Sequence, residues 1–259
     1  MWRWAGIVLL AGCAVPQGPV VEALKPQLEE ILAPAGGEWG VWFKDLQDGE
    51  TLSIRGDEEF HPASTLKILV MIKIFLDVHA GLYTLDDEIE VTDIFLSAAK
   101  KDPRPFKVAA SVKAVADVVG KRMSVRDLVE QMITVSDNLA TNNLLRKAGG
   151  ASEIQKMLAR LGITRSTVAR YLMDDQAYDE GFSSVAVPCE YGQVLEQLWR
   201  RQILSDWASS MMLRVMMRLR GNRMLPWHLP KEALVAHKTG AIEKVRNDVG
   251  VVTLPDGRG

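Results

Sequence analysis

Apolar positions recur at helical spacing over residues 20–32 and give way near Pro34 and Gly36-Gly37, which predicts a first helix. Two short runs, Gly40 to Asp45 and Thr51 to Arg55, flank Gln47-Asp48-Gly49 and read as a hairpin. From Ser64 to His79 the pattern changes. Leu66, Ile68, Leu69, Val70, Met71, Ile72, Ile74, Phe75 and Leu76 cover nearly every face of a helix. A helix that is apolar all round belongs in the middle of a protein. Residues 80–122 are less regular, with Pro103 and Pro105 marking a loop.

Ser124 with Asp127 makes an N-terminal capping pattern ahead of Val125, Leu128, Val129, Met132 and Ile133 on one face. That helix breaks at Ser136-Asp137-Asn138, a second runs to Gly149-Gly150, and Ser152 is expected to cap a third through Leu161. Tyr171 to Ser184 is polar and acidic and is predicted to be irregular. Helices resume from Glu190 to Arg201 and from Asp206 to Arg220, stopped by Gly221-Asn222. Val235 to His237 and Val245 to Leu254 read as strands. Strands at both ends with helices between them predict an α+β fold. Its antiparallel sheet comes from residues 38–56 and 233–254, packed against a helical lobe over 61–230.

Composition narrows the functional classes. The 259 residues are 47% hydrophobic and 25% charged, with a net charge of −2, so no bulk field recruits nucleic acid or an anionic membrane. Two cysteines cannot build a disulfide framework, and His61, His79, His228 and His237 show no metal-ligand spacing. No metal or cofactor is expected, and the domain is expected to be a monomer.

The start of the chain is basic and then briefly apolar, too short to span a bilayer, and reads as an export signal over residues 1–12. Leu10-Ala11-Gly12-Cys13 resembles the lipobox of bacterial lipoproteins, in which the signal is removed and the cysteine acylated. A plain secretory signal with an incidental Cys13 is the blander alternative. Acyl chains on Cys13 would hold the protein at a membrane surface outside the cytoplasm, periplasmic or on the cell surface. Residues 13–19 would then be a linker and 20–259 the working domain, with Cys189 left as a small buried apolar residue. At the other end, the strand reaching Leu254 leads into Pro255-Asp256-Gly257, a turn with no second strand after it. The edge it leaves unpaired predicts a C-terminally truncated chain.

Three clusters carry candidate chemistry. In Ser64-Thr65-Leu66-Lys67, residues three apart share a helix face, so hydroxyl and amine meet. Burial in so apolar a helix lowers a lysine's pKa toward that of a working base, and a serine beside it is a candidate nucleophile. Taken alone, the tetrapeptide favours a capping serine and a solvated lysine. Ser136-Asp137-Asn138 sits at a helix break, where a hydroxyl can relay a proton and an amide can bind an amide. Alone, capping explains it. In Lys238-Thr239-Gly240-Ala241 an amine and a hydroxyl at a strand edge can hold a carboxylate, and Gly240 admits a ligand backbone. A solvated strand end is the plainer account.

Together, in this order and in these contexts, the three resemble the marks of class A serine β-lactamases and penicillin-binding proteins. The likeness extends to Phe60-His-Pro-Ala-Ser64-Thr-Leu-Lys67, to Met132-Ile-Thr-Val-Ser136-Asp-Asn138-Leu-Ala-Thr and to His237-Lys-Thr-Gly240. It covers roughly residue 20 to the C-terminus, lacking the family's closing strand and C-terminal helix. The resemblance implies Ser64 as the acylated nucleophile and Lys67 as its activator, alone or through water. Ser136 would pass a proton to the departing lactam nitrogen, and Asn138 would bind the substrate's side-chain amide. Lys238 and Thr239 would anchor its carboxylate. Beside Gly240, the backbone N–H groups of Ser64 and Ala241 would form an oxyanion hole. The implied substrate is a β-lactam or a cell-wall peptide.

One departure bears on turnover. Class A enzymes hydrolyse the acyl-enzyme with a loop glutamate two residues after an arginine. Here Arg170-Tyr171-Leu172-Met173-Asp174-Asp175 puts Leu172 at that place. Asp174 and Asp175 follow with shorter side chains, and a deacylation role for either stands against a structural or solvated pair. Rapid acylation and slow release are expected. A penicillin-binding D,D-peptidase tolerates the missing glutamate better, and a non-catalytic sensor, with acylation as the signal, is the alternative outside catalysis.

Overall fold

The computed structural model describes residues 3–6, 20–221 and 224–255; Cys13, the linker 13–19 and the Asp256-Gly257 turn lie outside the described residues. In chain order the elements begin with β1 (Arg3–Gly6), α1 (Val20–Leu32), β2 (Glu38–Lys44), β3 (Thr51–Ile54) and α2 (Lys67–His79). Next come β4 (Glu88–Glu90), β5 (Ile94–Leu96), β6 (Pro105–Lys107), α3 (Lys113–Ala116), β7 (Arg122–Ser124), α4 (Val125–Thr134) and α5 (Asn138–Lys147). The chain continues through α6 (Ala151–Arg160), α7 (Asp175–Asp179), α8 (Pro188–Trp199) and α9 (Asp206–Met216) to β8 (Leu234–Ile242) and β9 (Val245–Thr253).

The α+β architecture follows from strands gathered out of both chain ends into one sheet, in the order β3-β2-β1-β9-β8. β2 pairs antiparallel with β3, and β8 with β9 in the register Lys238↔Val249. The expectation of an unpaired β9 edge is corrected only over Val245–Asp248: there Arg3–Gly6, from the segment read as a leader, lies between β2 and β9 and runs parallel to both, and beyond Asp248 no strand pairs with that edge among the described residues. The sheet is therefore mixed at its centre. Over Glu38–Gly40 and Val245–Asp248 the extended segment pairs with backbone groups that β2 and β9 would otherwise leave open.

The helix that is apolar on every side is the core. Ile68 through Ile72, Ile74 and Phe75 are buried, with α4, α5, α6 and α9 packed around them. Two of its polar groups pair with each other: Lys73 Nζ donates to Asp77 Oδ1 at 2.5 Å. Ser124 caps α4 as predicted, accepting from the Asp127 N–H at 3.0 Å. The cap of α6 is Gly150 rather than Ser152. Gly149 and Gly150 both adopt positive φ (88° and 84°), and the helix resumes at Ala151, with Ser152 already inside its first turn.

Residues 80–122 hold two small ribbons, β4 with β7 and β5 with β6, whose three-residue strands are too short to show an alternation. α9 stops at Met216, earlier than its apolar pattern suggests. Trp42 acquires a packing role. Its ring lies over α8, where a Cβ on Gly192 would come within 1.9 Å of it. The segment between α6 and α8 is closed at its base by the Thr167↔Val185 bridge, and Phe60↔Ala186 ties it to the segment leading into Ser64.

Candidate active site

A 3₁₀ turn, Ala63–Leu66, runs directly into α2. It leaves Ser64 half-buried and Lys67 one turn deeper, at 0% exposure. Lys238, from β8, is also 0% exposed. Buried amines require partners, and both find the same one. Lys67 Nζ donates to Ser136 O at 2.6 Å, to Ser136 Oγ at 3.1 Å and to Asn138 Oδ1 at 2.8 Å. Lys238 Nζ donates to Ser136 Oγ at 3.1 Å and to its neighbour's carbonyl, Thr239 O, at 2.7 Å.

Burial holds Lys67 well below the usual lysine range, the charge of Lys238 pushes the same way, and Asp137 opposes them. Burial also brings Lys238 down to about 8 against the pull of Asp248. Both lysines thus give up a proton more readily than a solvated lysine does. A hydroxyl oxygen has two lone pairs, and the two amines occupy both. The Ser136 proton is left to donate elsewhere. Ser64 Oγ makes no hydrogen bond among the described residues, so the expected meeting of its hydroxyl with the Lys67 amine is not seen, and that amine turns to Ser136 and Asn138 instead.

Local sequence explains how Ser136 comes to stand there. Asp137 accepts from the Ala140 N–H at 2.7 Å as the cap of α5, and from the Ser111 N–H at 2.6 Å. That fixes the residue between its two working neighbours. Ser136 itself adopts φ 59°, the left-handed region, a strain sustained where neighbours over-determine the backbone.

The sheet side is equally constrained. β8 is an edge strand, so alternate amides on its outer side have no strand to pair with. A Cβ on Gly240 would lie 2.8 Å from Pro62 O and 2.9 Å from Ser64 N, so only glycine lets the strand press against the nucleophile's amide. Asn247, opposite Gly240 in the register, donates to His61 O and Pro62 O at 2.8 Å each. Thr239 is half-buried and Ala241 exposed along the same strand.

The loop before α8 meets α5 at one place. Asn142 Nδ2 donates to Leu172 O at 3.0 Å, and Leu172 N donates back to Asn142 Oδ1 at 2.9 Å. Asn138 and Asn142 lie four apart on α5, hence on one face. Leu172 is therefore held one helical turn from the Lys67 cluster. Asp174 is fully buried, but its carboxylate accepts from Ser97 Oγ (2.6 Å), the Ala98 N–H (2.7 Å) and the Ala177 N–H (3.1 Å). It caps α7 and fastens the β5–β6 ribbon. Asp175 is exposed on α7. Neither hydrogen-bonds to Lys67, Ser136 or Asn138.

The structure therefore gathers Lys67, Ser136, Asn138 and Lys238 and sets Gly240 against Ser64, while the two aspartates serve the loop. One residue outside the motifs joins the site: Asn142, an asparagine one turn after Asn138 that holds Leu172 beside the cluster. Among the described residues, no cluster of three His, Cys, Asp or Glu side chains could hold a metal ion.

A five-stranded sheet against a helical lobe, with a serine, two buried lysines and a second serine at their junction, has the fold shared by β-lactamases and penicillin-binding proteins. The chain belongs to the beta-lactamase enzyme family, which it matches over residues 23–259. It is 25% identical over 242 residues to beta-lactamase VEB-1 of Pseudomonas aeruginosa, covering 90% of this chain and 78% of that one. It is 28% identical over 228 residues to beta-lactamase ROB-1 of Haemophilus influenzae, covering 84% and 68%. Among solved structures it is similar to a beta-lactamase from Chitinophaga pinensis DSM 2588 (TM-score 0.79, 26% identity, 91% and 87% covered). It is also similar to a leucine-to-glutamate mutant of PBP-A in its acyl-enzyme complex with penicillin G (TM-score 0.78, 26% identity, 95% and 87% covered).

Proposed function

We propose that the protein is a serine β-lactam hydrolase of class A type that acylates quickly and deacylates slowly. The observation that carries this reading is the meeting of Lys67 and Lys238 on the Ser136 hydroxyl. Lys67, depressed by burial, takes the Ser64 proton, directly or through a water, as Ser64 Oγ adds to the lactam carbonyl. The negative charge moves to the carbonyl oxygen, between the amides of Ser64 and Ala241. As the C–N bond breaks, Ser136 gives its proton to the nitrogen and recovers one from Lys67. Donors fixed where charge develops lower such barriers by about 3–4 kcal/mol each. Lys238, still largely charged at neutral pH, and Thr239 anchor the substrate carboxylate, and Asn138 its amide.

Hydrolysis of the ester needs a base beside its water, and Leu172 has none to offer. Asp174 is spent on three donors, which supports slow release rather than its service as that base. The same leucine favours a second reading, a penicillin-binding D,D-peptidase whose acyl-enzyme passes to another acceptor. Leu10 to Cys13 supports an exported protein held at a membrane by acyl chains, and removal of residues 1–12 would take the Arg3–Gly6 strand out of the sheet. Stopped-flow acylation with penicillin G and steady-state nitrocefin hydrolysis test the proposal. Fast labelling with slow consumption is expected; turnover as fast as labelling would overturn the slow-release claim.

A further inference from the structure

Ala63, immediately before Ser64, adopts φ 48°, a left-handed conformation that a residue with a Cβ keeps only when its neighbours enforce it. The enforcing contacts can be counted. Asn247 Nδ2 holds His61 O and Pro62 O at 2.8 Å each, and Thr65 donates to Pro62 O through its N–H at 3.1 Å and its hydroxyl at 2.7 Å. The Ala63 N–H donates to His61 Nδ1 at 3.0 Å. Amide, hydroxyl and carbonyl groups do not titrate near neutrality. The imidazole does.

We propose that His61 is a positioning residue: its unprotonated Nδ1 holds the strained turn that presents Ser64, and protonation of the ring releases that turn. A ring nitrogen accepts a hydrogen bond only through its lone pair, so the neutral ring carries its proton on Nε2. A proton on Nδ1 would set two donors against each other and remove the one anchor on the Ala63 amide. The charged group acting on the ring is Arg170, from the loop between α6 and α8. β9 brings neutral Asn247, and Glu59 on the ring's own segment is exposed and 3.9 Å from Arg165. Burial, then Arg170, lower the His61 pKa, so the acceptor is present at pH 7 and is lost as the medium acidifies. The device gives Ser64 an acid limit separate from protonation of Lys67.

The inference rests on acylation at Ser64, and the experiment separates the two. The acylation rate with penicillin G is followed from acid to alkaline pH in the full chain, in His61→Asn and in His61→Ala. An asparagine side chain accepts the N–H two residues on without titrating. His61→Asn is expected to keep the rate at pH 8 within about twofold and to lose one of two acid-side protonations. His61→Ala is expected to fall about ten- to hundredfold throughout, as misplacement of a reacting group does. In the unlabelled full chain, the Ala63 amide proton resonance should titrate together with the His61 ring. A wild-type pH profile in His61→Asn, a wild-type rate in His61→Ala, or an Ala63 amide indifferent to the ring would overturn the role of His61. If no variant acylates, the acyl-enzyme reading fails, and the amide titration still decides the positioning claim.

Discussion

Asn142 grips Leu172 by both backbone groups, accepting from its N–H at 2.9 Å and donating to its C=O at 3.0 Å. The grip fixes where any side chain at position 172 starts, without depending on what that side chain is. Leu172→Glu should therefore place a carboxylate one turn from the Lys67 cluster with the loop undisturbed. The penicillin adduct should shorten in lifetime by about 10²-fold or more, the usual contribution of a positioned base. Adduct decay followed by mass spectrometry checks this, with Leu172→Gln as the uncharged comparison that should not accelerate.

The two lysines predict a bell-shaped pH dependence. Lys67, held well below the usual lysine range, must be unprotonated to act as a base, which sets an acid limb. Lys238 must be protonated to hold a carboxylate, and its pKa lies at about 8. Below that pH the charge is present; above it the charge is lost. For a carboxylate-bearing β-lactam, acylation efficiency should fall by about tenfold from pH 7.5 to 9.5, the worth of a charge-assisted hydrogen bond. A rate flat through pH 9.5 would remove Lys238 from carboxylate recognition.

Gly240→Ala tests the contact between β8 and the nucleophile turn. Its Cβ would meet Pro62 O at 2.8 Å and Ser64 N at 2.9 Å, both backbone atoms that cannot swing aside. The turn must shift, so acylation should drop by about 10²-fold. Far-ultraviolet circular dichroism should remain that of the parent.

Asp174→Asn separates a structural carboxylate from a catalytic one. Weakening its bonds to Ser97, Ala98 and Ala177 should cost about 1–3 kcal/mol, read as a lower thermal midpoint. Adduct lifetime at a temperature where both proteins are folded should not change. A lengthened lifetime would restore Asp174 as the deacylating base.

What could be read from the sequence was what local pattern encodes. The α2 helix is apolar on every face because it is surrounded, and the three motifs mark the cluster because buried amines and hydroxyls must meet partners. The β5–β6 ribbon was invisible because its pairing, Phe95 with Phe106, joins three-residue strands that carry no periodicity. The Gly150 cap was missed because Ser152 offers the better hydroxyl, whereas the two positive-φ glycines decide where the chain turns. Arg3–Gly6 entered the sheet through strand pairing set by β2 and β9, which nothing in its own residues announces. Asp174 read more readily as a structural or solvated carboxylate than as a base, and its three donors show which structure it holds.

The most direct measurement is the site of penicillin attachment, by intact mass and peptide mapping of the full chain after exposure to penicillin G. One acyl group per chain is expected, carried by the peptide containing Ser64, slow to leave and absent from Ser64→Ala. An equal label on Ser64→Ala, or a wild-type chain that neither carries label nor consumes penicillin, would contradict that expectation.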